Sequence, residues 1–478
     1  MAMGRRKPQQ ESFWIATAEI ATPATHPFYQ RLNQLLDASR FDHCAEQLCR
    51  RFYAAKRGRP SLAPGVYFRA LMMGFFEGIE SERGIAWRLS DSLGLRSFLG
   101  IALTEATPDH STISRTRRLL PLETHRAVFR WVLKRVAEQG LLKNKTIGID
   151  ATTLEANAAL KSIVQRDTGE SYQDYLQGLA EAAGMVEPTA AELARFDRRR
   201  QGRRTSNQDW KSPHDEEARI TKLKDGRTHF AYKAEHAADL ETGVVTAVVI
   251  AAGDAGDSAT LAQTLAEAGE NTAELVALPA DAGAAGPYRE VYRHGLSEVV
   301  TDKGYHSDRV LGKLSEAGVR SYVSEPERPA RSWEGKAAER PRAEANKRRV
   351  GGERGKGLLR QRGEFLERGF AHCYDTGGMR RVWLRGQTNV AKRVLMQVAA
   401  FNLSVILRAI LGAGKPRELG GRDWDLLRLI LSLLGKLTAE LSAVPTAGLA
   451  NPAPELSFRL VRHRHDRRRE NGLLTTGC

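Results

Sequence analysis

The chain has 478 residues, of which 41% are hydrophobic, enough for two or three globular domains rather than a disordered chain. Its 73 Lys and Arg against 57 Asp and Glu give a formal net charge of +16, which favours a polyanionic partner. The four cysteines form no C-x-x-C pair, and the basic N-terminus has no apolar run, which argues against disulfides, structural zinc and a signal peptide. We therefore expect a cytoplasmic protein with no membrane partner.

Residues from about 60 to 140 are predicted to be all helical. Apolar residues recur at helical spacing at Val66, Ala70, Leu71, Phe75 and Ile79. Gly78 is expected to end that helix and Ser81 to start the next. A short helix is predicted after the segment TPDH, and a longer one from about Leu122 to Gln139, with Gly140 as its stop.

From about residue 144, short β-rich runs replace this pattern. They lie at 146–150, 229–237, 244–251, 298–302 and 320–324, with helices predicted at 258–268 and 308–317. This order predicts a mixed α/β sheet covered by helices. A mostly helical insertion of about 155–225 follows the first strand. A basic segment of about 326–362 has almost no apolar periodicity, so we expect a solvated linker, with phosphate contact as the alternative. A final helix at about 423–442 and a basic tail complete the chain.

Two of the predicted strands end on an aspartate. Asp150 closes the run TIGID, and Asp302 closes EVVTD. Either residue alone is as readily an ordinary strand-end Asp. Two carboxylates brought close together raise one another's pKa, a penalty that a bound divalent cation removes. Mg²⁺ prefers carboxylate, water and phosphate oxygens, so the pair suits a site shared with a phosphodiester.

A third acidic residue is expected on a helix in the segment RGEFLERGFAHCYD. Glu367 is the candidate, but Glu364 lies three residues earlier on the same helix face. Helix geometry alone does not choose between the two.

Five blocks of the sequence resemble, in order, those of bacterial insertion-sequence DDE transposases. The blocks are IGIDATTLEANA, KAEHAADLETGVV, GDAGDSATL, TDKGYHS and LERGFAHCYDTGGMRRVWLRG. The nearest branch has an Asp-x-Gly-Tyr motif at its second aspartate. The upstream block, from GRPSLAPGVYFRALMM to TPDHSTISRTRR, is similar to the helical N-terminal domain of that group. The resemblance covers roughly residues 58–412.

The resemblance implies a fold, a division into domains and a site. The fold is an RNase H-like mixed sheet with flanking helices and a helical insertion after the first strand, preceded by an all-helical domain. The implied parts are an N-terminal arm with the first helices (1–57), a helical DNA-binding domain (58–142), a catalytic domain (143–412) and a C-terminal helix with a basic tail (413–478). Asp150, Asp302 and Glu367 become the catalytic, metal-binding triad. Asp257 matches a recurrent non-catalytic position, which we expect to cap a helix near the site.

The implied reaction uses two Mg²⁺ or Mn²⁺ ions on double-stranded DNA. Water cuts at the element's end and frees a 3′-OH, which then attacks target DNA. Bringing two ends together makes a homodimer the expected assembly. Here, however, Tyr374 stands where the family often has Lys, and Gly363 where it has Arg. Arg360 or Arg362 is close enough to replace that Arg, and Lys303 or Arg380 to replace the Lys.

The basic residues outside the triad are candidates for DNA contact, with solvated surface positions as the alternative. We expect phosphate contact or base stacking from eight of them, namely Arg115, Arg117, Arg118, Lys303, Arg380, Arg381, Trp383 and Arg385. The second predicted strand carries three more basic candidates, His229, Lys233 and His236. They are either further DNA contacts or ordinary surface residues of the strand, the surface decoration of a sheet.

Three other functions compete with transposition. One is a regulatory DNA-binding protein whose catalytic core is degenerate, which the Tyr374 departure favours. Another is an RNase H-like nuclease that cuts without joining. A hydrolase of small phosphoesters leaves the charge of +16 unexplained.

Overall fold

The computed structural model describes residues 26–54, 61–201, 206–223, 226–276, 296–327 and 333–419. All of these residues lie in the first of the two units into which the chain divides, Met1–Gly420. The predicted C-terminal helix at about 423–442 and the basic tail lie outside the described residues.

The first part of the described chain is helical, as predicted. Its helices are α1 (Pro27–Ala38), α2 (Phe41–Cys49), α3 (Pro64–Glu77), α4 (Glu82–Asp91), α5 (Leu93–Phe98), α6 (His110–Leu119) and α7 (Leu122–Glu138). Gly78 ends α3 with φ +71°, a left-handed conformation that glycine adopts without strain. Ser81 caps α4 by accepting from Gly84 N, so both boundary predictions are confirmed.

The strands form one main sheet and one small ribbon. They are β1 (Thr146–Glu155), β2 (Val164–Gln165), β3 (Trp210–Lys211), β4 (Arg219–Lys222), β5 (Thr228–Asp239), β6 (Val245–Ala252), β7 (Glu298–Thr301) and β8 (Arg320–Val323). The main sheet has the order β4-β5-β1-β7-β8, with β6 also paired to β5. Strands β5 and β6 run antiparallel to their neighbours, whereas β7 is parallel to β1 and β8 to β7. The predicted mixed sheet is therefore present.

The remaining helices are α8 (Tyr172–Ala182), α9 (Ala190–Arg199), α10 (Asp257–Val276), α11 (Asp308–Glu316), α12 (Arg340–Gly351), α13 (Glu353–Phe370) and α14 (Gln387–Leu411). Helices α8 and α9 lie in the insertion after β1, where they build a small apolar cluster of their own around Leu176, Ala180 and Leu193.

The prediction of a linker at about 326–362 was wrong, because α12 and most of α13 lie there. Asn346, fully buried, accepts from Val323 N and donates to Val323 O, so α12 covers the open edge of β8. Leu358 packs against Leu240 and Val300 on the sheet. A few buried contacts hold these basic helices in place, which a search for apolar periodicity does not detect.

Helix α14 joins the helical region to the sheet. By length and composition it could cross a membrane, but 72% of its most apolar window is buried inside the protein. It packs against α3, α7 and β6. The fully buried Arg393 donates to the carbonyl oxygens of Leu71 and Ile79. The helical region and the sheet therefore share a core.

Candidate active site

The register of β1 and β7 brings Asp150 and Asp302 together. Gly148 pairs with Val300 across these parallel strands, and each aspartate lies two residues further along its chain. Neighbouring strands are about 4.8 Å apart, and residues two apart on a strand share a face. The two aspartates therefore lie at the same level of neighbouring chains, with Asp302 at the first position after β7. The charge of Asp302 is one of the factors that raise the pKa of Asp150.

Asp150 forms an ion pair with Arg362 on α13. Burial raises the pKa of its carboxyl above the ordinary value, and the nearby Arg362 guanidinium is the main opposing influence. Arg362 Nη1 lies 2.8 Å from Asp150 Oδ2, with the two side chains only 14% and 21% exposed. Helix α13 thus supplies a cation directly to the first aspartate.

Glu364 and Glu367 lie further along α13, and both are exposed. Glu364 pairs with Arg368 at 3.4 Å. At about 100° per residue, Glu367 lies roughly 100° around the helix from the buried Leu366, and Glu364 roughly 160°. Glu367 is thus closer to the side of α13 that faces the sheet. Within the described ranges, no three Asp, Glu, His or Cys side chains are close enough together to hold a metal ion, so Glu367 is not joined to the aspartates.

A buried polar network lies on the face of the sheet opposite the side chain of Asp150, and the sequence analysis missed it. Glu235 on β5 is fully buried and accepts from Tyr305 Oη at 2.7 Å, from Thr260 Oγ1 at 2.7 Å and from Thr264 Oγ1. Lys233 Nζ donates to Thr260 Oγ1 at 3.0 Å. The detectable signal was the opposite charges of Lys233 and Glu235, two residues apart and hence on one face of an interior strand.

Asp257 is the first residue of α10 and lies beside the second aspartate. Its carboxylate pairs with Lys233 Nζ at 2.6 Å. A Cβ atom on Gly304 would overlap that carboxylate and would also approach Asp302 Oδ1, at 3.2 Å. Asp257 was expected to cap α10, but it is the first residue of that helix, and an ion pair holds its side chain.

Tyr374, at the position where the family often has Lys, is fully buried. It lies in a π-helical turn, Ala371–Asp375, and its hydroxyl is 2.6 Å from His236 Nε2. Burial lowers the pKa of His236 to about 3, so the imidazole is neutral. Lys233 and His236 are both buried, so neither is the surface decoration that was one of the two alternatives for them.

Of the predicted DNA contacts in the helical region, Arg115 and Arg118 are exposed on α6. Arg117 is 6% exposed. Its Nε lies 2.7 Å from Glu82 Oε1, and its Nη1 donates to Asn389 Oδ1 at 2.6 Å. Arg117 therefore joins α6 to α4 and α14, and its guanidinium is occupied by protein partners.

The other predicted contacts lie near the sheet. Lys303 and Arg385 are exposed. Arg380 donates to Asp375 Oδ1 at 2.8 Å and to Thr152 Oγ1 at 2.9 Å, two residues along β1 from Asp150. Arg381 lies over the ring of Trp383, 4.7 Å from its centroid, and Trp383 is 43% exposed. Arg380, Arg381 and Trp383 form a basic and aromatic border along the far end of β1.

Two family matches agree with this architecture. Residues 17–119 match the family described as Transposase domain (DUF772), and residues 196–403 match the family described as Transposase DDE domain. The second match includes Asp302 and Glu367, whereas Asp150 lies between the two matched segments. No curated protein and no solved structure matches the chain.

The family assignment confirms the fold prediction. The three-stranded antiparallel part and the two parallel strands, with helices on both faces, form an RNase H-like sheet after a helical N-terminal region. DNA is the partner that these families imply. With its helical domain and its DDE domain in the expected order, the chain belongs to the insertion-sequence DDE transposases.

Proposed function

We propose that this transposase cleaves DNA at the ends of its element and joins the freed 3′-OH to target DNA, with Asp150, Asp302 and Glu367 as metal ligands. The observation that carries the proposal is that Asp150, in β1, and Asp302, the first residue after β7, lie at the same level of two adjacent parallel strands. Two neighbouring carboxylates, one largely buried, have little reason to persist unless a cation occupies the space between them.

The donor atoms fit Mg²⁺ or Mn²⁺. Asp150 and Asp302 offer hard carboxylate oxygens, which these ions prefer. The Arg362 guanidinium pairs with the Asp150 carboxylate, in the place proposed for a cation. When bound, a pair of such ions activates the attacking oxygen and stabilises the leaving 3′ oxygen of a phosphodiester. Glu367 is the proposed third ligand because it is closer than Glu364 to the sheet-facing side of α13. It reaches the aspartates only if α13 or its side chain moves.

The covalent steps need no protein nucleophile. In cleavage, the oxygen of water bonds to phosphorus and the bond from phosphorus to the 3′ oxygen breaks, giving a 3′-OH and a 5′-phosphate. In joining, that 3′-OH attacks a target phosphodiester and displaces the target's own 3′ oxygen. The chain's part is to hold the phosphates in line, which preorganised cations do without reorganisation.

Arg380 is the proposed replacement for the family's Lys. It lies against Thr152 on the strand that carries Asp150, and its side chain is 41% exposed. Tyr374 is unsuited to that role because it is buried against His236. We propose that Arg381, Trp383, Arg385 and Lys303 extend the DNA surface, and that Arg115 and Arg118 contact phosphates at the element's end. Arg117 is left out of this set.

We also propose that the helical region 58–142 reads the element's ends, that residues 143–412 carry catalysis and that the synaptic complex is a homodimer. A competing candidate is a regulatory protein with a degenerate core. It is favoured by the ion pair between Arg362 and Asp150 and by the separation of Glu367 from the aspartates.

The test is a Mg²⁺- or Mn²⁺-dependent assay on DNA carrying the element's ends, with a target plasmid. Joined product that disappears in Asp150→Asn and Asp302→Asn, and persists in the exposed control Asp91→Asn, supports the proposal. Cutting without joining indicates a nuclease, and binding without either reaction indicates the regulator.

The third ligand is tested separately by the matched pair Glu367→Gln and Glu364→Gln. We expect only the first change to abolish activity. Loss of activity in the second alone would transfer the role to Glu364.

A further inference from the structure

Strand pairing alone does not position Asp302. Asp150 lies inside β1 and pairs with His236 on β5, so the sheet holds it directly. Strand β7 ends at Thr301, and Asp302 begins a 3-10 turn, Lys303–Tyr305. Its own carboxylate accepts from Gly304 N at 2.9 Å, which shapes the turn without fixing it to the sheet. Some other contact must hold this turn in place.

Tyr305 provides that contact. Its side chain is fully buried in a core cluster with Ile147, Ile149 and Leu261. Its hydroxyl donates to Glu235 Oε2 at 2.7 Å. Burial and the nearby Glu235 carboxylate raise the pKa of Tyr305 far above its ordinary value, so the hydroxyl stays protonated and remains a donor. The turn is therefore bonded to β5 only three residues after Asp302.

Glu235 is itself held in one orientation. It pairs with Ala151, so it points to the face of the sheet opposite Asp150. Thr260 and Thr264 on α10 both donate to it. Lys233 Nζ lies 3.6 Å from Glu235 Oε2 and also donates to Thr260 Oγ1. A fully buried carboxylate costs several kcal/mol unless its oxygens are satisfied, and here donors from α10 and from the turn satisfy both of them.

We propose that Glu235 is a positioning residue that acts through Tyr305 to hold Asp302 where a divalent cation can bind it. The inference rests on the proposed metal role of Asp302. Lys233 supports the same turn from its other side, because it holds the Asp257 carboxylate that packs on Gly304. Partners one step removed from a metal ligand typically change metal affinity about 10–100-fold when they are lost.

A purely structural role makes a different prediction. Replacing a buried ionic network with apolar side chains of similar volume is often neutral or stabilising, so stability alone does not require this arrangement. If the network only filled space, its loss would lower the free energy of unfolding and leave metal affinity unchanged. Metal affinity measured on folded protein therefore separates the two roles.

The experiment measures Mn²⁺ binding to the DNA-free full chain by electron paramagnetic resonance. Tyr305→Phe is expected to weaken binding about 10–100-fold, and Asp302→Asn to abolish binding at that site. Tyr232→Phe is the matched control. Tyr232, on β5, is fully buried, as Tyr305 is, and it likewise donates to a buried carboxylate, Asp215 Oδ1, at 2.7 Å. It is expected to bind Mn²⁺ as the unaltered protein does.

Thr264→Val and Thr264→Ser extend the test in case Tyr305→Phe does not fold. The valine removes a donor to Glu235 and is expected to weaken Mn²⁺ binding, whereas the serine keeps the hydroxyl and is expected to restore it. If Tyr305→Phe, or failing it Thr264→Val, binds as tightly as Tyr232→Phe while Asp302→Asn has lost the ion, the positioning role is refuted. If Asp302→Asn still binds, the metal role of Asp302 itself is refuted.

Discussion

Arg362→Gln is expected to destabilise the metal-free transposase slightly and to tighten its binding of Mn²⁺. The change removes the guanidinium 2.8 Å from Asp150. Removing one partner of a fully buried ion pair costs about 3–5 kcal/mol. Because the side chains of Arg362 and Asp150 are 14% and 21% exposed, we expect a smaller loss of about 2 kcal/mol in the free energy of unfolding. This value is within the range for a hydrogen bond to a charged group.

The size of the thermal effect follows from the size of the folded unit. At about 2.1 cal/mol/K per residue, the roughly 360 residues that the structure describes unfold with an entropy of about 0.8 kcal/mol/K. A loss of about 2 kcal/mol then lowers Tm by about 2–3 °C. In the unaltered protein a bound ion must first displace Arg362, so its removal should tighten Mn²⁺ binding by up to about 30-fold.

The pH dependence has a definite sign. The Arg362 guanidinium lowers the pKa of Asp150, so its loss raises that pKa further and lets protons compete with the metal. The gain in Mn²⁺ affinity should therefore be largest near pH 8 and should shrink as the pH falls. The assay is calorimetry on DNA-free protein, with Arg360→Gln, an exposed arginine on the same helix, as the control. Unchanged or weaker Mn²⁺ binding in Arg362→Gln at pH 8 would refute this reasoning.

Other consequences are testable in the same way. Arg117→Ala should lower the free energy of unfolding by about 3–5 kcal/mol, because it breaks a buried ion pair. The exposed Arg118 is the contrast: Arg118→Ala should leave stability unchanged and reduce the slope of log K for DNA binding against log salt concentration by about one. Burial lowers the pKa of His125 and His236 to about 3, so the unfolded chain binds protons first as the pH falls. Below pH 6.5 each of these histidines should lower the free energy of unfolding by about 1.4 kcal/mol per pH unit, and urea titrations of His236→Asn should show a slope smaller by that amount. Arg380→Ala should slow strand transfer about 10–100-fold in single-turnover assays, consistent with the loss of one charged contact.

The sequence predicted the parts of the fold that depend on regular apolar patterns. The strands around Asp150 and Asp302 and the helix ends at Gly78 and Ser81 follow from short-range periodicity and capping. Helix α12 was missed because it is held by Asn346, a polar residue bonded to the edge of β8, rather than by an apolar stripe.

The buried half of the site was also not predictable from local patterns. Lys233 and Glu235 have the composition of a solvated strand, and only their partners on α10 and in the 3-10 turn make them interior residues. Those partners lie about 25 to 70 residues further along the chain. The position of Glu367 relative to the aspartates depends on the placement of α13, which strand register does not determine.

The burial of α14 between the helical region and the sheet limits how such an enzyme can acquire a new recognition sequence. Exchanging the N-terminal helices, the proposed recognition region, between related elements would alter Gly74, where a side chain would overlap Arg393, and Phe75, which packs on Phe401, and would leave the interior mismatched. Retargeting by transplanting this region therefore requires α14 to be transplanted with it. Gradual substitution on the outer surface of α6, around Arg115 and Arg118, leaves the shared interior intact and is the more accessible evolutionary route.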